Sequence, residues 1–129
     1  MFVRVQLVNN LEPRQENSIY AMDLLVDMAK YPQAQALTLY LIADSNVDGS
    51  PMEVAVVGND MPDPGGGIVL IAEPPLKTTL PNKYSKIALS VEISKAPFPY
   101  YGVVVKTGPT APSKGRCQAY ADVWWPGER

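Results

Sequence analysis

Residues 84–94, YSKIALSVEIS, leave little freedom in how they fold. From Lys86 on, Ile87, Leu89, Val91 and Ile93 fall on one side of an extended chain, and Ala88, Ser90, Glu92 and Ser94 on the other. Successive side chains of a pleated strand point to opposite faces, so period two marks a strand with one face on a core and one near water. The other legible stretches read as partners for it.

Residues 2–8 alternate Val3, Val5 and Leu7 against Arg4 and Gln6 and predict a first strand, with a polar loop over 9–17. Residues 18–30 admit two readings. Ile19, Met22, Leu25 or Val26, and Ala29 are spaced for a helix face that Asn17 or Ser18 would cap. Ile19, Ala21 and Leu24 equally suit a strand of about six residues. The strand is preferred because its surroundings are β and Pro32 ends any helix close by. Residues 36–43, ALTLYLIA, set Leu37, Leu39 and Leu41 against Thr38, Tyr40 and Ile42; two apolar faces suit a central or covered strand. Further strands are expected at 52–58, 68–73, 101–106 and 116–125. NDMPDPGGG, PPLKTTLPNK and TGPTAPSKG read as connections, and KAPFPYYG as an aromatic turn. In the last strand Cys117, Ala119, Ala121, Val123 and Trp125 form the expected core face, opposite Gln118, Tyr120, Asp122 and Trp124.

About eight short strands at such spacing predict an all-β antiparallel sandwich, an eight-stranded jelly roll, as one domain over residues 1–129. The expected core contains Ile87, Leu89, Val91, Ile93, Leu37, Leu39, Leu41, Ala121 and Val123. A chain of this length buries roughly two thirds of its unfolded surface, enough for a core without metals or disulfides. Thirteen prolines favour short strands joined by stiff loops. Neither charge sign forms a run in a chain of net charge −2, so no basic patch for nucleic acid is visible. No apolar run approaches a membrane span. The single cysteine excludes an intrachain disulfide, and residues 1–10 lack a signal-peptide layout, so a reducing compartment is expected.

Chemistry is sparse. The chain has no histidine, which removes the commonest general base and metal ligand. Cys117, on an inward strand face, reads as a small buried apolar residue rather than a nucleophile. Nothing in the sequence joins the acid pairs Asp23 and Asp27, or Asp60 and Asp63. DSNVDG, residues 44–49, opens like a calcium loop, with Asp44, Asn46 and Asp48 as oxygen donors and Gly49 at the turn. The twelfth position is Ala55 where a bidentate Glu belongs, Glu53 fits only a different geometry, and hairpin turns use the same residues. PDPGGG, residues 62–67, lacks the Lys-Ser/Thr and helix of a phosphate loop. No metal or cofactor is expected. The aromatics Phe98, Tyr100, Tyr101 and Trp124 are the expected protein-contact residues, with Trp125 beside them.

From residue 18 on, the strand pattern resembles the small cement, or decoration, proteins of tailed-phage capsids, in the jelly-roll type associated with Bordetella phage. The corresponding pieces are Ala21-Met22-Asp23-Leu24, the pair 37–43 and 52–58, Leu80-Pro81 before the strand 84–93, and 119–125. The strand 2–8 and the turn 96–101 depart from that pattern. The resemblance implies a non-enzymatic structural virion protein on the outer capsid surface, made in the host cytoplasm. It would contact the major capsid protein and form a homo-oligomer, a dimer or trimer, with no catalytic residues to carry over. Two other classes stay open. A carbohydrate-binding β-sandwich would show exposed coplanar aromatics, using Trp124, Trp125, Tyr100 or Tyr101. A carboxylate hydrolase would show two buried carboxylates about 5–9.5 Å apart.

Overall fold

The computed structural model describes residues 1–44, 47–62, 69–70, 77–80, 86–94 and 97–126, with backbone placement alone for 69–70 and 77–80. Ten strands follow in order: β1 (Phe2–Leu11), β2 (Ile19–Ala21), β3 (Val26–Asp27), β4 (Ala36–Ala43), β5 (Met52–Asn59), β6 (Val69–Leu70), β7 (Lys77–Leu80), β8 (Lys86–Glu92), β9 (Tyr100–Lys106) and β10 (Cys117–Trp124). Among the described residues one 3-10 turn, Met28–Lys30, follows β3, and the Asp27 carboxylate accepts from the Ala29 N–H at its start (3.1 Å).

The strands form two antiparallel sheets. The first runs β1-β10-β4-β8; the second runs β2-β9-β5-β6, with β3 also on β9 and β7 also on β5. The pieces β2 and β3 lie along one side of β9, and β6 and β7 along one side of β5, so each pair acts as one interrupted strand. Counted that way there are eight strands, in the orders 1-8-3-6 and 2-7-4-5. That is the jelly roll expected from the sequence.

Period-two alternation aims one face of each sheet inward. Leu37, Leu39 and Leu41 of β4, Leu89 and Val91 of β8, and Cys117, Ala119, Ala121 and Val123 of β10 meet Met52, Val54 and Val56 of β5 and Tyr101, Val103 and Val105 of β9. The expected core set is buried apart from Ile87 and Ile93, which are half-buried against it because β8 is the last strand of its sheet. Ser90 and Glu92 face outward, as the pattern predicts.

Several expectations need correcting. The first strand runs on to Leu11, its register shifting twice beyond Gln6 so that Leu11 reaches Cys117. Such irregularities let a strand bend around the end of a sandwich. Residues 19–27 hold two short strands instead of one, and 28–30 form the 3-10 turn; Met22 and Val26 are buried while Ile19 and Leu24 are exposed. Lys77–Leu80, expected to be connection, forms β7 on Met52–Ala55 of β5. Two threonines suit an edge strand, and flanking prolines hid a run of four residues. The Gly-rich stretch 64–67, Asn46, and residues 81–85 and 95–96 lie outside the described residues.

Candidate functional site

The outward face of the first sheet carries the densest cluster of interacting side chains in the described residues. Antiparallel register builds it row by row. Phe2, Trp124, Ala36 and Glu92 form one row, Arg4, Asp122, Thr38 and Ser90 the next, and Gln6, Tyr120, Tyr40 and Ala88 a third. Gln118, Ile42 and Lys86 continue it across three strands. Phe2 and Trp124 pair their rings at 4.7 Å, tilted by 36°. The Trp124 Nε1–H donates to Thr38 Oγ1 (3.1 Å), which itself lies 3.2 Å from Ser90 Oγ.

At the centre, Tyr40 and Tyr120 stack at 4.7 Å between two cations. The Arg4 guanidinium lies 4.1 Å from the Tyr120 ring centre, and the Lys86 ammonium 4.8 Å from that of Tyr40. Cations are drawn to the negative faces of such rings. Arg4 also forks onto Asp122, Nε to Oδ1 at 2.7 Å and Nη2 to Oδ2 at 2.9 Å. Asp122 is only 2% exposed, whereas Arg4 is about half exposed, so the pair binds a buried anion to a surface cation. The hydrogen bond to Asp122 holds the Arg4 guanidinium above its ordinary pKa. A fork of this kind fixes geometry as well as charge.

The four expected contact aromatics separate in space. Trp124 lies on this face, 36% exposed beside the half-exposed Phe2. Tyr100, Tyr101 and Phe98 lie on and beside β9 of the other sheet. Tyr101 is fully buried; its hydroxyl accepts from the Phe98 N–H (3.1 Å), and burial raises its pKa. It is a core residue and drops out as a surface anchor, because odd positions of β9 point inward. Phe98 meets Tyr101 edge to face at 6.0 Å and covers Gly58, where a Cβ would come within 2.3 Å of its ring. Phe98 thus plugs the sandwich end. Tyr100 is half-buried in register with Asn59 and Asp27. Phe2, Arg4, Tyr40 and Lys86 were missed. They reach Trp124 and Tyr120 only through strand pairing, although the alternation did set Tyr120 opposite the expected core face and Tyr40 opposite Leu37, Leu39 and Leu41.

The 44–49 loop has another role. Asp48 Oδ1 accepts from the N–H groups of Ser113 (2.6 Å) and Lys114 (3.3 Å), and Oδ2 from Ser113 Oγ (2.5 Å). Asp44 Oδ2 accepts from the Arg116 N–H (3.2 Å). Carboxylates that receive N–H donors in this way staple two loops together, which gives Asp44 and Asp48 a structural role. The side-chain bond from Ser113 leads in pulling the Asp48 pKa below its ordinary 3.8. A carboxylate whose folded pKa is depressed stabilises the fold above its unfolded value and loses that contribution as pH falls through the folded one. Asp48→Asn is therefore expected to lower the melting temperature at neutral pH, and the gap from the unmodified chain should close as pH drops below about 4. A gap constant from pH 6 to pH 2.5 in a thermal melt series would contradict the staple.

Cys117 is buried, and burial pushes its thiol up to about 11, which fits an inert core residue. Asp122 is the one buried carboxylate among the described residues. The two-carboxylate geometry of a glycosidase thus has no counterpart there. Nor do the exposed aromatics Phe2 and Trp124 form one plane, since their rings tilt by 36°; of the stacked pair beside them, Tyr40 is half-buried and Tyr120 buried.

No family profile matches the chain, and no curated protein matches it. Among solved structures it is similar to a protein of the Bacillus endospore appendages, a family of disulfide-linked pili (9% identity, TM-score 0.49, 98% of this chain and 88% of that one). Others are the SPBc2 prophage-derived protein YomS (10%, 0.45, 95% and 92%) and the tobacco streak virus coat protein (10%, 0.46, 99% and 88%). At such identities the likeness is one of shape.

Proposed function

We propose that this chain is a structural virion protein, a cement or decoration component that seats on the outer surface of a capsid and stiffens it through protein–protein contacts. The observation that carries the reading is the outward face of the first sheet. It is an extended strand surface whose exposed ring pair, Phe2 and Trp124, stands beside the Arg4–Tyr120–Tyr40–Lys86 stack. Trp, Tyr and Arg are the residue types that dominate binding energy at protein interfaces. The major capsid protein is the proposed partner.

Three further features support it. The space between the sheets is filled by apolar side chains, which suits a rigid block more than a ligand container. The loop carboxylates Asp44 and Asp48 are engaged in stapling loops. Jelly rolls are used by capsid proteins as well as lectins, and the strand pattern resembles capsid decoration proteins. A stable contact needs about 1,000 Å² of buried surface, and repeated copies on a shell would multiply weaker contacts through avidity. A homo-oligomer belongs to the same proposal.

The test is to prepare particles with and without the chain and heat them. Particles lacking it are expected to release their contents at a lower temperature, and Trp124→Ala with Phe2→Ala is expected to reduce occupancy on the shell. Absence of the chain from particles, or an unchanged release temperature, would overturn the reading. Intact occupancy in the double variant would move the contact off this face.

A further inference from the structure

The strand β1 bounds the first sheet on one side, and its hydrogen-bonding phase is fixed at its start. The Met1 amine donates to the Trp125 carbonyl (2.9 Å), and the Trp125 N–H donates to the Met1 carbonyl (3.0 Å). The Trp124 carbonyl instead accepts from the Gln35 N–H (2.8 Å), on the β4 side. Bonded and non-bonded pairs alternate along an antiparallel ladder, so Met1, Val3 and Val5 bond toward β10. Phe2, Arg4 and Gln6 then direct their N–H groups away from the sheet, and Phe2 and Arg4 their carbonyls as well. None of these outward groups has a hydrogen-bond partner among the described residues.

Residues 1–44 are described throughout, so the chain can be followed past this edge. It bonds to the edge at Leu7, whose carbonyl accepts from the Leu24 N–H (3.1 Å). Before that point the usual protections of a strand edge are missing. Residues 2–6 contain no proline, keep one register with β10 and place no charge on the core-facing side. Arg4 does not screen the edge either. Its guanidinium reaches across to Asp122 of β10 (2.7 and 2.9 Å) and lies 4.1 Å from the Tyr120 ring centre.

The core side of the same edge lacks its last neighbour. Val91, Leu37 and Val123 form a core row that ends on Val3, and Leu89, Leu39 and Ala121 form a second that ends on Val5. The six inner residues are buried, whereas Val3 and Val5 are half-buried. Two apolar side chains of an adjoining strand, two residues apart, would cover both valines.

We infer that β1 receives an added strand, an extended segment of the shell protein with apolar residues at the two alternate positions that cover Val3 and Val5. The inference rests on the capsid reading above, since Phe2 belongs both to this edge and to the face proposed to seat on the shell. Strand addition draws affinity from backbone bonds and specificity from alternate side chains. A second copy of this chain fits the edge less well. Antiparallel pairing over residues 2–6 sets Arg4 directly against Arg4, and like charges in opposition are destabilising.

Amide hydrogen exchange resolved by residue tests this. Particles carrying the chain are exchanged, dissociated under quench conditions and read by NMR alongside the free chain. In the free chain the Phe2, Arg4 and Gln6 amides are expected to exchange faster than those of Val3 and Val5. On the shell the three should slow by about tenfold or more, which removes the alternation. Val3→Lys puts a charge on the core-facing side of the edge and should lower occupancy on the shell, while Val3→Ile should keep it. Thermal melts show whether both variants fold, and the exchange pattern of the unmodified chain decides if the Lys variant does not. A shell-bound chain whose Phe2, Arg4 and Gln6 amides exchange as in the free chain would overturn the inference and leave the capsid reading standing. Full occupancy by a folded Val3→Lys variant would do the same. Protection of the three amides that rises with the concentration of free chain would give the edge to a second copy and overturn it too. Absence of the chain from particles would overturn both.

Discussion

Leu39→Ala is expected to destabilise the chain by about 2–5 kcal/mol, the cost of a large-to-small change where the surroundings relax only in part. Leu39 sits mid-way along β4, between β10 and β8, in register with Ala121 on one side and Leu89 on the other. It is buried, and the sheet opposite is filled by Val54, Val56 and Val103 of the same core. Each of those neighbours is held by its own strand ladder, so none can move far into the gap. The melting temperature should fall by on the order of 10 °C. Leu89→Ala should cost somewhat less, because β8 is an edge strand. Ser90→Ala, one residue along and facing out, should stay within about 0.5 kcal/mol. Urea unfolding of the three variants checks this ordering; a Leu39 cost under 1 kcal/mol, or a Ser90 cost equal to it, would mean the faces of these strands are reversed.

Gly49→Ala is the second large expected effect, and its cause is backbone rather than core. Gly49 has φ +89°, a conformation that side-chain-bearing residues rarely adopt. A Cβ there would lie 2.6 Å from the Thr110 carbonyl oxygen and 2.9 Å from Ala111 C and Pro112 N. All three are main-chain atoms, so no side chain can swing aside. The conformation alone carries about 1–3 kcal/mol, and the crowding adds to it. Moving the 109–112 segment would also disturb the Ser50 N–H to Thr110 O bond (2.9 Å), the Ser50 Oγ bonds to Thr110, and the neighbouring Asp48–Ser113 staple. Asn tolerates the left-handed region better than Ala but brings the same Cβ. Gly49→Asn is thus expected to be nearly as damaging as Gly49→Ala in a thermal melt. An Asn variant as stable as the unmodified chain would show that the close approach to Thr110 is not limiting.

The loop around Gly49 also shows what a short motif is worth. Asp44, Asn46, Asp48 and Gly49 match the opening of a calcium loop, yet its two carboxylates, Asp44 and Asp48, accept N–H donors from residues 113–116. The same residue types serve either purpose, and only the partner decides. The aromatics divide in the same way. Tyr101 and Trp124 look alike in sequence, each near a second aromatic and a strand end, but one is sealed in the core and the other stands on the surface.

By itself the sequence determined which residues share a face. The pleat alternates at every residue whatever the strand pairs with, so 37/39/41, 87/89/91/93 and 117/119/121/123 could be read as inward sets. It also determined the poverty of reactive groups, since a chain without histidine cannot acquire one by folding. Only the tertiary structure decided which strands are neighbours. The first strand lies against the last, which brings Arg4 onto Asp122 and Phe2 onto Trp124, residues 118 and 122 positions apart. Tertiary pairing likewise drew Lys77–Leu80 into a strand beside β5 and split the segment after residue 18 into two. The physical reason is one of range. Which way a side chain points follows from local backbone geometry, whereas which side chain it meets depends on burying two sheets against each other, a balance the whole chain sets at once.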